Sequence, residues 1–306
     1  MKILFITPGN PFDHRSWSGT LHSITTTIQN RGHKILWHGK IPRASLFLRI
    51  KYILYNLFNG KKYRWKHSIE HSKRIGKIIS ARIEDMNYDL ILVIAASTES
   101  AFVNINVPII YISDATFDSM VNYETSFSNI SSRSIEEGNY LEKKILQRST
   151  YILYPSDWPI NSAIKYYGVS KHKIIKAKFG ANLPIMPESF NFNQLDNQSN
   201  ILRLLFIAVK WETKGGPIAI ETLNELNKRG IKTELTIVGC RMPKNKSIGL
   251  KVIPFLSTLN PGCFFSSPLT LVWYFLPSNM KLSLPAFLAA AKACPFLLTL
   301  VPVAFS

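Results

Sequence analysis

The feature that most constrains the fold is a pattern of strand, glycine-containing loop, helix and strand that opens the chain and starts again after residue 200. The first copy reads as strand 2–7, loop 8–20, helix 21–30 and strand 35–37, and the second as strand 203–209, loop 210–216, helix 218–229 and strand 234–239. Such a unit builds a parallel sheet, so the sequence predicts an α/β fold with two halves. Neither loop is the GxGxxG of a dinucleotide site.

The composition along the chain predicts where the two halves meet. Apolar runs at 88–94, 107–112 and 151–154 are typical of strands covered on both faces. A polar stretch rich in Asn and Gln follows and predicts a linker. We therefore expect the domain organisation to be 1–188 for the first domain, 189–200 for the linker, 201–256 for the start of the second domain and 257–306 for an apolar tail.

The charge balance points to an anionic partner. Lys and Arg number 37 against 19 Asp and Glu, a formal net charge of +18, while 46% hydrophobic residues argue against disorder.

Three widely spaced cysteines exclude a disulfide framework and a four-thiolate zinc site. The apolar run after Met1 is too short for a signal peptide, so we expect a cytoplasmic protein.

Residues 43–82 concentrate the positive charge, with eleven cations and the single carboxylate Glu70. Apolar residues recur within this segment at three- and four-residue spacing, which predicts one face of a helix. Two interpretations stay open. Either the helix lies on an anionic membrane surface at the inner face of the membrane, or it faces the core and its basic side is solvated. The residues expected at a membrane surface are Arg49, Lys51, Lys61, Lys62, Arg64 and Lys66. The run is too short and too charged to span a bilayer.

Short segments at the strand ends carry a resemblance to a known family. They are Trp17-Ser18-Gly19-Thr20, the run from Tyr111 to Thr116, Ser156-Asp157-Trp158 with Tyr167-Gly168, Phe179-Gly180-Ala181-Asn182, Lys214-Gly215-Gly216 and Val238-Gly239. None is specific alone. In this order over the first 256 residues, they resemble bacterial glycosyltransferases of the family 4 type (group 1).

The resemblance implies a GT-B fold, in which two Rossmann-like domains face a cleft. It further implies a nucleotide-sugar donor bound mainly by the second domain and a glycan or lipid-linked acceptor bound by the first. Transfer would retain the anomeric configuration and would need no metal ion and no cofactor. The products expected of such enzymes are cell-surface polysaccharide or lipopolysaccharide.

The resemblance also implies donor-binding residues. Gly19 matches a loop that lies against donor phosphate or transferred sugar, although a tight turn would equally explain it. Lys214 matches a lysine that neutralises the leaving diphosphate, with a solvated loop lysine as the alternative, and Gly215 lets the backbone approach that group. Val209 stands where the family often has an arginine, and Lys210 can partly substitute for it.

Asp114, at the end of a buried strand, is the candidate catalytic residue. The family often has a histidine nearby, and here Asp114 is expected to bind a sugar hydroxyl or to position the acceptor. A helix N-cap or turn aspartate is the alternative. The seven histidines are scattered, so we expect most of them at the surface and no metal site.

The end of the chain departs from the family. No acidic residue follows Glu234, so the Glu-x7-Glu motif that holds the donor ribose and sugar in the family is absent. Three explanations compete for residues 257–306: translation out of frame, which would leave the protein truncated and inactive or nearly so; a hydrophobic tail that docks on the membrane; and a diverged but folded end of the second domain.

Three functions follow from these observations. The first is a membrane-associated glycosyltransferase, and the second is a non-enzymatic membrane- or glycan-binding module. The third, nucleic-acid binding, rests on the charge alone, since no RNA- or DNA-reading motif accompanies it, and we therefore expect no nucleic-acid partner.

Overall fold

The structure is a computed structural model that describes residues 1–42, 46–180, 182, 200–212, 214–240, 249–253 and 271–273. The chain divides into two compact units, one running from Met1 to Asn182 and the other beginning at Leu183. The expected linker lies outside the described residues except for Asn200, and the expected apolar tail does so except for Leu271–Trp273. The two units are described separately below.

A parallel sheet forms the centre of the first unit, as the sequence predicts. Among the described residues, its six strands lie in the order β2-β1-β3-β4-β5-β6. They are β1 Lys2–Ile6, β2 Lys34–Trp37, β3 Leu90–Ile94, β4 Ile109–Ile112, β5 Tyr151–Tyr154 and β6 Ile174–Lys176. In the register of the sheet, Ile3 lies opposite Ile35 on one side and Leu90 on the other.

Helices connect these strands and cover both faces of the sheet. They are α1 Thr20–Asn30, α2 Leu46–Asn59, α3 Ile69–Ile83, α4 Ser97–Ser100, α5 Phe117–Met120, α6 Ser132–Arg148 and α7 Asp157–Lys165. Alternate residues of β1 point to opposite faces. Leu4 packs in one core with Ile79 of α3 and Ile145 of α6, whereas Phe5 packs in the other with Leu21 of α1. The first unit is therefore a three-layered α/β domain.

The described part of the second unit is also a parallel sheet with a helix packed against it. Its described strands are all parallel and lie in the order β10-β7-β8-β9. They are β7 Leu202–Ile207, β8 Thr233–Val238, β9 Leu250–Ile253 and β10 Leu271–Trp273. Helix α8, Gly216–Lys228, belongs to one core with β7 and β8 through Ala219, Leu223 and Leu226. Strand β10 extends the sheet within a segment where the sequence pattern alone shows no strand.

Candidate functional site

Each sheet contains a point at which the order of its strands reverses. In the first unit β1 lies between β2 and β3, so the chain first builds outward on one side of β1 and then on the other. In the second unit β7 lies between β8 and β10. Open parallel sheets bind ligands beyond the carboxyl ends of the strands at such a switch point. The loops that follow β1, β3 and β7 are therefore the places to look for a site.

The loop after β1 has an unusual backbone. Trp17, Ser18 and Gly19 have φ angles of 50°, 54° and 88°, so three successive residues lie in the left-handed region. Residues with a β-carbon rarely adopt that conformation and keep it only when their surroundings hold them there. Gly19 also forms the N-cap of α1.

Contacts from the end of the first unit hold this loop. The Asn182 side-chain amide donates to the carbonyl oxygen of Ser18 at 3.2 Å and to the Thr20 hydroxyl at 2.9 Å. The rings of Trp17 and Phe179 meet edge to face with their centroids 5.6 Å apart. Two segments that the resemblance singled out thus contact each other, although Thr20 and Asn182 are 162 residues apart in sequence. The tight-turn explanation accounts for the glycine at position 19, and ligand contact by the loop is left as a proposal.

Backbone strain also occurs on the other side of the same switch point. Ala95, directly after β3, has φ 47°, and its amide donates to the carbonyl oxygen of Ile112 at 2.8 Å. Left-handed residues with a β-carbon cluster at ligand-binding sites more often than elsewhere. The carboxyl ends of β1 and β3 therefore both carry the kind of backbone that marks a candidate site.

Asp114 lies in a bend directly after β4, half-buried, on the same edge of the sheet. The N-cap of the following helix α5 is Thr116, whose hydroxyl accepts from the Ser119 amide at 3.2 Å while the Ser119 hydroxyl accepts from the Thr116 amide. The helix-cap alternative for Asp114 is therefore wrong, because Thr116 supplies that cap, whereas the bend at Asp114 agrees with the turn alternative.

The loop after β7 is built around an indole. A β-carbon on Gly216 would lie 2.1 Å from the Trp211 ring, so only glycine fits under it. Gly215 has φ 84° and is the N-cap of α8. The Lys214 amide donates to the carbonyl oxygen of Lys210 at 3.2 Å and closes the turn. Lys210 is exposed and Lys214 is half-buried, and both lysines precede α8 in the sequence together with the exposed Glu212.

The expectation that most histidines lie at the surface is wrong for the basic segment and for β2. His38, which follows β2, is 2% exposed, and its Nε2 lies 3.3 Å from the Thr7 amide nitrogen. Burial lowers the pKa of His67 to about 3 and that of His71 to about 4, helped in each case by a nearby arginine. These imidazoles are neutral parts of the fold.

Two carboxyl groups escaped the sequence analysis. Glu142 of α6 is 3% exposed and accepts a hydrogen bond from the Tyr111 hydroxyl at 2.9 Å. Burial raises its pKa to about 7. Glu99, in the short helix α4 after β3, also has its pKa raised to about 7 by burial. The helical period would have placed Glu142 beside Ile145 on the core face of α6, a signal that was available from the sequence.

The residues expected at a membrane surface divide into three groups. Lys61, Lys62 and Lys66 are exposed. Arg64 departs from the expectation, because its guanidinium lies 3.8 Å from the centre of the Phe127 ring and donates to the carbonyl oxygen of Ser126. The side chains of Arg49 and Lys51 lie outside the described residues.

Among the described residues, metal sites, pockets and membrane-spanning helices have little support. Across the described ranges, no group of three or more His, Cys, Asp or Glu side chains is placed to hold a metal ion. A shallow depression lined by Met1, Lys2 and Asn87 lies at the amino-terminal edge of the first sheet, away from the switch point. In the part of the chain that the structure describes, no helix has the length and apolar character needed to cross a membrane.

Comparisons with known proteins address the fold. No protein-family model and no curated protein matches the chain. Among solved structures, the chain is similar to WaaG, a glycosyltransferase involved in lipopolysaccharide biosynthesis, with 14% identity and a TM-score of 0.53 over 90% of this chain and 74% of that one. It is also similar to sucrose-phosphate synthase from Thermosynechococcus elongatus, with 12% identity and a TM-score of 0.53 over 89% and 74% of the two chains.

A third similar structure is described as a UDP-N-acetylglucosamine 2-epimerase from Listeria monocytogenes, with 13% identity and a TM-score of 0.52 over 89% and 73% of the two chains. Identities this low show the fold and leave the reaction open, since one fold supports different reactions. The prediction of two α/β units is confirmed, and the chain has the GT-B fold that the resemblance implied.

Proposed function

We propose that the protein is a glycosyltransferase of the family 4 type, which passes a sugar from a nucleotide donor to a glycan or lipid-linked acceptor. The observation that carries the proposal is the position of the two loops. The loop with Gly19 and the loop with Lys214 follow the first strand of their sheets, each at a switch point. Similar folds in a glycosyltransferase of lipopolysaccharide biosynthesis and in sucrose-phosphate synthase support a sugar-transfer reaction.

The second unit would bind the donor. The ammonium groups of Lys214 and Lys210 would neutralise the diphosphate, and the turn at Gly215 would let backbone amides approach it. No carboxylate follows Glu234 to hold the ribose or the sugar, so the contacts with the diphosphate would supply most of the binding energy of the donor. We therefore expect weaker donor binding than an acidic pair would allow.

The first unit would bind the acceptor. The Gly19 loop would lie against donor phosphate or transferred sugar, and Asp114 would accept a hydrogen bond from a sugar hydroxyl. In the step itself, the bond between the anomeric carbon and the phosphate oxygen breaks, and a bond from the acceptor oxygen forms on the same face. Because the new bond forms on the face from which the old one leaves, the configuration is retained. The acceptor proton passes to the departing phosphate oxygen, and the step requires no metal ion or cofactor.

We place this activity in the synthesis of cell-surface polysaccharide or lipopolysaccharide, at the inner face of the membrane. A lipid-linked acceptor would have to be reached at a bilayer surface. The exposed cations Lys61, Lys62 and Lys66 fit such a location, since each cation near an anionic leaflet contributes about 1 kcal/mol.

A second candidate is a non-enzymatic module that binds membranes or glycans. The absence of any carboxylate after Glu234 favours it, because the donor site would then lack the groups that hold ribose and sugar. Such a module would bind vesicles or glycans and would show no affinity for nucleoside diphosphates.

A transfer assay separates the two candidates. The full chain is incubated with radiolabelled uridine, guanosine or adenosine diphosphate sugars and a bacterial lipid extract, and label in the lipid or glycan fraction is counted. We expect transfer from one of these donors, reduced at least tenfold in Lys214→Ala and unchanged in Lys228→Ala, at the far end of α8. Absence of both transfer and nucleotide binding would contradict the enzyme and leave the binding module.

A further inference from the structure

Helix α2 exposes its aliphatic side. Ile50, Ile53, Leu54 and Leu57 are 47%, 57%, 48% and 74% exposed, respectively. Their spacing of three, one and three residues places them on one face of the helix. The interpretation of α2 as an ordinary helix whose aliphatic face packs on the core is therefore wrong for these four residues. We call them the aliphatic face.

The opposite side of α2 is attached to the first unit by aromatic and polar contacts. Tyr52 is buried, its ring stacks on that of Tyr63 with centroids 4.8 Å apart, and its hydroxyl donates to Glu70 Oε2 at 3.0 Å. Asn56 Oδ1 accepts from the Tyr63 amide at 2.6 Å.

These contacts fix the orientation of the helix. Turning α2 about its axis to bury the aliphatic face would break both hydrogen bonds and separate the stacked rings. The exposure of four large aliphatic side chains is thus a property of the folded first unit, and a contiguous apolar patch of this kind marks an interaction surface.

Exposed positive charge follows the aliphatic face in the sequence. Lys61 and Lys62 follow the end of α2 and are exposed, as is Lys66. The only carboxylate among residues 43–82, Glu70, accepts from Tyr52. A surface that combines large aliphatic groups with lysines is complementary to the interface of an anionic bilayer. The lipid tails there accommodate the aliphatic groups, and the anionic headgroups bind the lysines.

We propose that the aliphatic face inserts into an anionic bilayer surface, with Lys61, Lys62 and Lys66 contacting the headgroups. A second copy of the chain fits this face less well, because two chains that each carry a net charge of +18 repel one another. Nucleic acid offers no apolar surface for the four aliphatic groups. The inference does not depend on the proposed transfer reaction, since a binding module would dock in the same way.

Vesicle sedimentation with the full chain tests the proposal. The protein is mixed with phosphatidylcholine vesicles that contain or lack phosphatidylglycerol, and the bound fraction is measured. We expect binding to the anionic vesicles at least tenfold tighter than to the neutral ones. The double variant Ile53→Asp with Leu57→Asp should bind about a hundredfold more weakly, because two aliphatic groups no longer insert.

A matched control replaces a single exposed aliphatic residue elsewhere. Ile231 in the second unit is 44% exposed, and Ile231→Asp should bind vesicles like the unaltered protein. Circular dichroism establishes that each variant is folded. The charge variant Lys61→Glu with Lys62→Glu should bind at least about thirtyfold more weakly and lose most of the preference for phosphatidylglycerol.

Two results would overturn the proposal. One is equal vesicle binding by the aliphatic-face variant and the Ile231→Asp control, which would mean that charge alone holds the protein. The other is a dimer of the unaltered protein that dissociates in the variant without any vesicle binding, which would assign the face to a second copy. Neither result bears on the binding of the nucleotide donor, which is measured without vesicles.

Discussion

The two units begin with the same strand, loop and helix but hold the loop in different ways. In the first unit the left-handed turn at Trp17, Ser18 and Gly19 is held by Asn182 from the far end of the unit. In the second unit the loop closes on itself, with Trp211 lying over Gly216. Glycine therefore has a structural cause in both loops, and it cannot by itself indicate a ligand.

Charge is what distinguishes the second loop. Lys210 and Lys214 precede α8 with the single exposed carboxylate Glu212 between them, whereas the one Arg or Lys of the loop after β1, Arg15, is paired with Asp13 at 3.2 Å. This difference in charge favours the second loop as the one that would bind an anionic group.

The largest structural difference between the two loops is the Trp211 indole that lies over Gly216 in the second unit. Gly216→Ala should destabilise the second unit by about 3 kcal/mol, because the added methyl group overlaps the Trp211 ring. Thermal denaturation of the full chain measures the loss. Gly180→Ala is the control, since a β-carbon there meets nothing within 4 Å. If the loss were as large in a Trp211→Leu background as in the unaltered protein, overlap with the indole would not be its cause.

The buried carboxyl Glu142 distinguishes the first unit by its response to pH. Its pKa is raised from 4.5 to about 7 in the folded protein, so the folded state binds the proton more tightly than the unfolded state. The stability that this group contributes is present below pH 4.5 and is lost as the pH rises to 7, on the order of 3 kcal/mol. Glu142→Gln should therefore gain stability relative to the unaltered protein as the pH rises over that window.

Chemical denaturation at pH 4.5 and pH 8 measures this effect. The neutral His67 and His71 act in the opposite direction, because their lowered pKa values cost stability as the pH falls below 6.5. Both histidines are present in the variant and in the unaltered protein, so their effect cancels in the difference in stability between the two. Glu136→Gln, an exposed change on the same helix, is the control. An equal difference between Glu142→Gln and the unaltered protein at both pH values would contradict the raised pKa.

The charge of the second loop should govern nucleotide affinity. Lys214→Ala should weaken the binding of nucleoside diphosphates by tenfold to a hundredfold, about 1.5 to 3 kcal/mol, because a charge-assisted contact is lost. Isothermal titration calorimetry measures this affinity, with Lys228→Ala as the control. Replacing the more exposed Lys210 should weaken nucleotide binding less than replacing Lys214. An affinity unchanged in Lys214→Ala would remove the distinction between the two loops.

The turn at Gly19 should show the smallest effect. Gly19→Ala forces a β-carbon into a left-handed conformation and should cost about 1 to 2 kcal/mol of stability in the first unit. Asn182→Ala, which removes two hydrogen bonds to the same turn, should cost a similar amount. Thermal denaturation compares the two variants. A neutral Asn182→Ala would show that the turn holds itself without help from the end of the unit.

The repeating elements of the fold were predictable from local pattern, because alternating buried strands and amphipathic helices have distinct periods. The strand predicted over 203–209 ends at Ile207, since boundaries depend on pairing with neighbours. The spacing of apolar residues in α2 predicts an apolar face, but it does not predict which side of the helix packs on the protein. That choice is made by Tyr63 and Glu70, which lie outside the helix and contact Tyr52.

The candidate site was predictable to a similar extent. The pattern located Gly19 and Asp114 after strands of the first sheet and the Lys214 loop after a strand of the second, because parallel strands bring their carboxyl ends to one edge of each sheet. It did not reveal the contact of Asn182 with the Gly19 turn, since the two residues are far apart in sequence, or the overlap of Trp211 with Gly216. Contacts of this kind depend on the folded backbone and have no periodic signal.

Hydrogen–deuterium exchange with a bound nucleotide sugar tests the central claim most directly, since it reports both loops in one experiment. The full chain is exchanged with and without uridine, guanosine or adenosine diphosphate-glucose. We predict that peptides covering 207–217 and 14–22 exchange more slowly when a donor binds, with the larger change in the first of them. Binding that leaves both peptides unchanged would contradict the proposal that these loops contact the donor.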